Sequence, residues 1–202
     1  MALPLVPNFP AAMRLEGRTF LVLGTGLGLG RHIAHALRQF GAAIFCCDSE
    51  AAAAEQVAFE VSGTPLHAQA TSALQLQELL GAMTRNGTTL DGVIDLLDGA
   101  RAAACAERAR AASQHCAQQG GGTVLLVARG GNLAAAEGSF AAVVAELAQE
   151  YADDGVRVNG LVPAAPSETG AAGLVAFLSG ELGRSVSGQV LLAGATDTEA
   201  FA

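Results

Sequence analysis

Short apolar runs rich in branched residues alternate with alanine-rich segments of helical length along the whole of this sequence. A strand buried on both faces reads as a continuous apolar run, and joining two parallel strands takes a crossover of helical length. The alternation therefore predicts an α/β fold with a parallel sheet between helices. The expected strands span 19–23, 42–47, 64–69, 92–97, 123–128, 156–162 and 189–193, and the expected helices 28–40, 51–61, 73–85, 101–119, 137–153 and 169–180. Seven strands imply one doubly wound domain over 17–202, a mainly parallel seven-stranded sheet with helices on both faces. Residues 1–16, apolar but with Pro4, Pro7 and Pro10, read as an extended leading arm. Ser72 three residues before Gln75 predicts a capping box, and Gly120, Gly121 and Gly122 predict a helix end.

Composition narrows the function classes. Of 202 residues, 51% are apolar and 15% charged, enough for a real core. Net charge is −8 and all 11 basic residues are arginine, so no cationic surface exists to neutralise a run of phosphates and nucleic acid is excluded as a partner. The lack of any lysine removes every mechanism that needs a lysine ammonium or a Schiff base. Cys46 and Cys47 are neighbours on a strand and point to opposite faces, while Cys105 and Cys116 lie about 16 Å apart along a helix. Neither spacing suits a disulfide or a zinc site, and four buried thiols fit a reducing, cytoplasmic compartment. No segment reads as a signal peptide or membrane span, and His32, His35, His67 and His115 are dispersed, so neither a membrane nor a metal is expected.

The first strand runs into Gly24-Thr25-Gly26-Leu27-Gly28-Leu29-Gly30-Arg31, which opens a helix. Glycines at such a turn let backbone N–H groups and a helix N-terminus approach a pyrophosphate, because a Cβ at the closest positions would collide with it. Asp48 follows Gly24 by 24 residues at the end of the second strand, where a carboxylate accepts hydrogen bonds from ribose hydroxyls and repels a 2′-phosphate. Gly24, Gly28, Gly30 and Asp48 are thus candidate residues for binding NAD in preference to NADP. The competing reading is a tight strand-to-helix turn with Asp48 starting the next helix.

In these features the chain resembles the short-chain dehydrogenase/reductase family. The resemblance rests on Gly24, Gly28 and Gly30, on Asp48, on Asp154-Gly155-Val156-Arg157-Val158-Asn159-Gly160 with Pro163, and on Val175-Ala176-Phe177-Leu178-Ser179 with Ser187-Gly188-Gln189-Val190. It implies a Rossmann-type NAD(P)-binding sheet, oligomers built from paired helices and a C-terminal strand, and hydride transfer between alcohols and ketones. It also implies a catalytic tyrosine with a lysine three residues beyond, a serine on the preceding strand and an asparagine in the fourth helix. The lysine lowers the tyrosine pKa toward working pH and the serine orients the carbonyl. Those positions hold Leu133, Glu137, Arg129 and a residue near Arg101, and the one tyrosine, Tyr151, lies too far along its helix. Glu137 beside Arg129 reads as an ion pair, with a role as an alternative base the competing reading.

Other departures bear on the cofactor. The family's Asn-Asn-Ala-Gly segment reads Asp95-Leu96-Leu97-Asp98, the acid after the third strand is replaced around Gln69 and Ala70, and Leu23 replaces the threonine before the first glycine. Carboxylates at Asp95 or Asp98 would oppose a pyrophosphate. The loops that wall the substrate pocket are short. No catalytic residue is therefore expected, the NAD site is vestigial, and NAD is bound weakly or not at all by this chain and fully by a partner. The expected role is a non-catalytic, stabilising subunit that joins a catalytically active paralogue in a tetrameric NAD-dependent alcohol or hydroxyacyl dehydrogenase. Its interface would use the small face of helix 101–119 and the stripe Phe140, Val143, Val144, Leu147 and Tyr151, a stripe that also fits burial on its own sheet. The alternatives are a homo-oligomeric NAD(H)-binding or sensing module and an unconventional oxidoreductase with Glu137 or Asp98 as base.

Overall fold

A computed structural model describes residues 9–26, 28–98, 102–129, 137–163 and 168–194. The strands are β1 (Thr19–Leu23), β2 (Ala43–Asp48), β3 (Thr64–His67), β4 (Gly92–Asp98), β5 (Gly122–Arg129), β6 (Val156–Pro163) and β7 (Val190–Ala193). The helices are α1 (Phe9–Ala12), α2 (Leu29–Gln39), α3 (Ala51–Val61), α4 (Ala73–Arg85), α5 (Ala102–Gln118), α6 (Glu137–Glu150) and α7 (Glu168–Ser179), with a 3-10 turn at Glu181–Gly183. The described part of the leading arm differs from expectation, since Phe9–Ala12 form one helical turn where extended chain was expected.

Each strand alternates its side chains between two apolar layers. Val22, Ile44 and Cys46 face α2, α3 and α7, while Leu21, Leu23, Cys47 and Val93 face α4, α5 and α6. Fully buried Ile33 and Leu37 hold α2 to the sheet, each contributing about 1.5–3 kcal/mol, well above any difference in helix propensity among its residues. The α4 start carries the expected capping box, with Ser72 accepting from the Gln75 N–H and the Gln75 side chain accepting from the Ser72 N–H.

The sheet order is β3-β2-β1-β4-β5-β6-β7, and every pairing is parallel. The sheet is therefore wholly rather than mainly parallel. The order reverses between β1 and β4, where connections leave to opposite sides and open a crevice at the carboxyl ends of the strands. The Arg157-Val158-Asn159 block braces the other side of the sheet. Arg157 donates to the carbonyls of Leu178 and Gly183, and Asn159 ties β6 to the segment before β7 by donating to the Val186 carbonyl and accepting from the Gln189 N–H.

Candidate functional site

The crevice is built on the glycine turn. Gly24 (φ +83°) and Gly28 (φ +67°, ψ −131°) adopt backbone conformations that side-chain-bearing residues rarely do, and Gly28 caps α2 without a side-chain acceptor for its first N–H groups. A Cβ on Gly30 would stand 2.1 Å from the Gly24 carbonyl oxygen, so glycine there lets α2 start against the end of β1. The Gly24 and Thr25 N–H groups and the Thr25 hydroxyl all donate to the Cys47 carbonyl, hanging the turn on β2.

Asp48 comes next in the chain. Its Oδ2 accepts from the Gly26 N–H at 2.8 Å and its Oδ1 from the Glu50 N–H at 3.0 Å. A carboxylate has about four lone-pair sites, so each oxygen keeps acceptor capacity toward a ligand. A Cβ on Gly26 would sit 2.8 Å from Asp48 Oδ2, which makes glycine a condition of this contact too. Together they border a cleft of about 360 Å³ between β1, β2, β3 and β4, with Ala70, Leu96 and Arg108 among its other walls.

Below the cleft lies a pair that sequence reasoning did not find. Asp95 of β4 is 1% exposed and meets Arg108 of α5, 8% exposed, in a buried ion pair. Burial raises the Asp95 carboxyl to about 6, and the Arg108 guanidinium pulls it partway back. Asp95 Oδ2 and Arg108 Nε are buried with no hydrogen-bond partner. Asp95, expected among the carboxylates facing a pyrophosphate, is buried and ion-paired with Arg108. The available signal was a lone acid inside an apolar strand, with an arginine 13 residues on.

The positions aligned with the family's proton relay are placed only in part. Leu133 and Arg101 lie outside the described residues, as do the side chains of Asp98, Arg129 and Glu137. Tyr151 is placed. It follows the last residue of α6, and its carbonyl accepts from the N–H of Val156, the first residue of β6. It therefore stands at the amino edge of the sheet, about 20 Å of helix from the crest where the cleft opens. There burial and Glu150 raise its phenol further.

The small face of α5 points inward. Cys105, Ala109, Ala111, Ala112 and Cys116 are buried within the chain's own core, and the outer face carries Glu107, Arg110 and Gln114. Arg110 pairs with Glu146 and Glu150 of α6. Phe140, Val144 and Leu147 likewise pack on the sheet, as the competing reading of that stripe held. The histidines are spread across the surface and core: His35 bonds Glu60, His67 the Ser49 carbonyl, His32 the Gly28 carbonyl, and His115 is buried. Among the described residues no group of side chains could hold a metal ion, no helix is long and apolar enough to cross a membrane, and the four cysteines are unbridged.

Strand order, crossovers and crest cleft define a Rossmann-type α/β domain. Within that class its fold is the one found in short-chain dehydrogenase/reductase structures. A short-chain type dehydrogenase/reductase from Mycobacterium marinum superposes with a TM-score of 0.80 at 18% identity, over 93% of this chain and 97% of that one. A 7α-hydroxysteroid dehydrogenase complexed with NADH and 7-oxo glycochenodeoxycholic acid gives 0.77 at 20%, over 91% and 95%. A Brucella melitensis structure described as ribose-5-phosphate isomerase gives 0.78 at 20%, over 91% and 93%. At these identities the likeness establishes the fold, and the activities for which these proteins are named differ among themselves. No protein-family model and no curated protein sequence matches the chain.

Proposed function

We propose that this chain is a non-catalytic subunit of short-chain dehydrogenase fold that assembles with a catalytically complete paralogue into a heteromeric NAD-dependent alcohol or hydroxyacyl dehydrogenase. One observation carries the reading: its only phenol lies at the wrong edge of the sheet, in a chain with no lysine to lower a phenol's pKa. A scaffold that retains sheet and helices without that relay has its use at a surface. Among the described residues the outer edge of β7, the last strand of the sheet, is unpaired, Leu192 on it is 72% exposed, and α6 exposes Ala141, Ala142 and Ala145. Both features support docking through β7 and α6, and the inward-facing alanines of α5 take that helix's small face out of the interface.

The cleft favours a second reading, a homo-oligomeric module that binds or senses NAD(H) without turnover. Its residues fit such a group: the turn at Gly24, Gly28 and Gly30 excludes Cβ atoms where a pyrophosphate would approach, and Asp48 offers acceptors to a ribose diol. The bound group would carry the hydride equivalent that such a module senses without consuming, and Glu50 beside Asp48 would disfavour a 2′-phosphate. The third reading, a carboxylate base at Glu137 or Asp98, is tested by Glu137→Gln and Asp98→Asn in the assembled protein, where unchanged turnover in both disposes of it.

Native mass spectrometry of the protein recovered from its source decides between the first two readings. A stoichiometric partner, with no alcohol oxidation by the chain alone, is expected. Turnover by a homogeneous preparation of this chain overturns the proposal. A thermal-shift titration isolates the second reading, because NAD at 100 times its Kd adds about 2.7 kcal/mol of stability.

A further inference from the structure

A second depression lies at the opposite edge of the sheet from the crest cleft. Arg18 precedes β1, Thr89 and Asp91 precede β4, Gly120 and Gly121 precede β5, and Arg157 stands second in β6. The amino ends of four neighbouring strands thus converge on one basin of about 410 Å³, which the turn after α7 completes with Glu181 and Arg184. Glycine leaves it room: nothing lies within 4 Å of where a Cβ on Gly120 would stand. The N–H groups of Gly120, Gly121 and Gly122 already donate to the carbonyls of Ala117, Cys116 and Gly155, so a ligand here would be held by side chains.

Three of the chain's 11 basic residues line this basin, in a protein of net charge −8. Against Arg18, Arg157 and Arg184 stand two carboxylates, Asp91 and Glu181, while Asp153 and Asp154 in the turn before Gly155 are exposed and do not line it. Glu181 is shared, 2.8 Å from Arg184 and 3.6 Å from Arg18. Asp91 accepts from the Thr19 N–H. Arg157 has no carboxylate partner among the described residues. It donates to the carbonyls of Leu178 and Gly183 and to the Thr123 hydroxyl, and a guanidinium with five N–H donors keeps others over. Burial, and then the like charges of Arg18 and Arg184, lower its pKa from the usual arginine range, as expected of cations gathered with too few anions.

The missing anion has a recognisable shape. A carboxylate has two oxygens and fills one guanidinium fork, whereas a phosphate monoester presents three oxygens and a charge of about −1.5 to −2 near pH 7. The basin is larger than a bare phosphate, and Thr89 and the second oxygen of Asp91 on its wall can bond hydroxyl groups. We infer that this amino-edge basin binds a small hydroxylated phosphate monoester, with Arg18, Arg157 and Arg184 on the phosphate and Thr89 and Asp91 toward the hydroxyl groups. Bound there, the ester would fasten the end of α7 to β1 and β6, through arginines that already hold the Leu178 and Ser179 carbonyls. The site is separate from the crest cleft and stands whether or not that cleft holds NAD.

Isothermal titration of the purified full chain with glycerol 3-phosphate at low salt tests it, with glycerol and succinate as controls. The ester should bind, inorganic phosphate should compete with it, and added salt should weaken it. Glycerol and succinate should bind about tenfold more weakly or not at all. Arg184→Gln should weaken the ester about tenfold, the usual weight of a charge-assisted hydrogen bond, and its side chain is 69% exposed, so the core is untouched. Arg18→Gln should act in the same direction. Glu181→Gln removes the competing anion and should tighten binding, which a purely structural role for the cluster would not produce. If Arg18→Gln fails to fold, the other two variants decide. No binding by wild type, or succinate bound as well as the ester, overturns the inference. So does binding that is indifferent to both Arg184→Gln and Glu181→Gln, which would put the phosphate at the glycine turn instead.

Discussion

Gly30 and Asp95 show how unequally single residues announce themselves. The spacing of Gly24, Gly28 and Gly30 and the place of Asp48 were legible because each depends on a few neighbouring residues: a strand end, a turn, a helix start. Replacing Gly30 by alanine drives a Cβ into the Gly24 carbonyl, which is backbone and cannot swing aside. A loss of about 1–3 kcal/mol is expected in urea unfolding, with loss of any nucleotide-induced shift. The pairing of Arg108 with Asp95 was not legible, because it follows from the rotation of α5 against β4, which no local pattern encodes. Its partner gives a pH signature. The Asp95 carboxyl stands at about 6 in the fold against an ordinary 3.8, so the folded state binds this proton more tightly than the unfolded chain. The resulting stabilisation is full below about pH 4 and is lost as pH rises through about 6, roughly 3 kcal/mol in all. Denaturation of wild type and Asp95→Asn at pH 4 and pH 7 should show their stability difference moving by that order in this direction. A constant difference would mean that Asp95 titrates normally.

Among the elements, all seven strands and six of the seven helices fall within a few residues of their sequence-based positions, because apolar period and crossover length vary together along the chain. The leading turn Phe9–Ala12 was missed, since three nearby prolines outweigh four residues of pattern. α5 was located but turned the wrong way. Alanine is nearly neutral between core and surface, so a helix this rich in it hides its direction, although Glu107, Arg110, Gln114 and Gln118 at helical spacing mark the outer side. With α5 facing inward, β7 is the element on which assembly can be challenged. Leu192→Lys puts a charge on an exposed edge position without touching the core, so folding should be unchanged while the assembled mass falls to that of a smaller species in light scattering. An unaltered assembly would place the contact elsewhere.

At the level of the whole molecule, two apolar layers share one sheet, and the adjacent thiols of β2 belong one to each. Cys46 lies in the layer of α2, α3 and α7, and Cys47, Cys105 and Cys116 lie in the other. Burial pushes Cys46 and Cys116 to about 12 and Cys47 to about 11, so near neutral pH almost none is present as the reactive thiolate. Alkylation thus becomes a clock for opening, with the peptide bond between Cys46 and Cys47 as the boundary between its two dials. If the domain unfolds as one cooperative unit, iodoacetamide should tag all four at a common rate limited by that opening, read by peptide mass mapping. A chain whose helices peel from one side first would mark Cys47, Cys105 and Cys116 on a different schedule from Cys46.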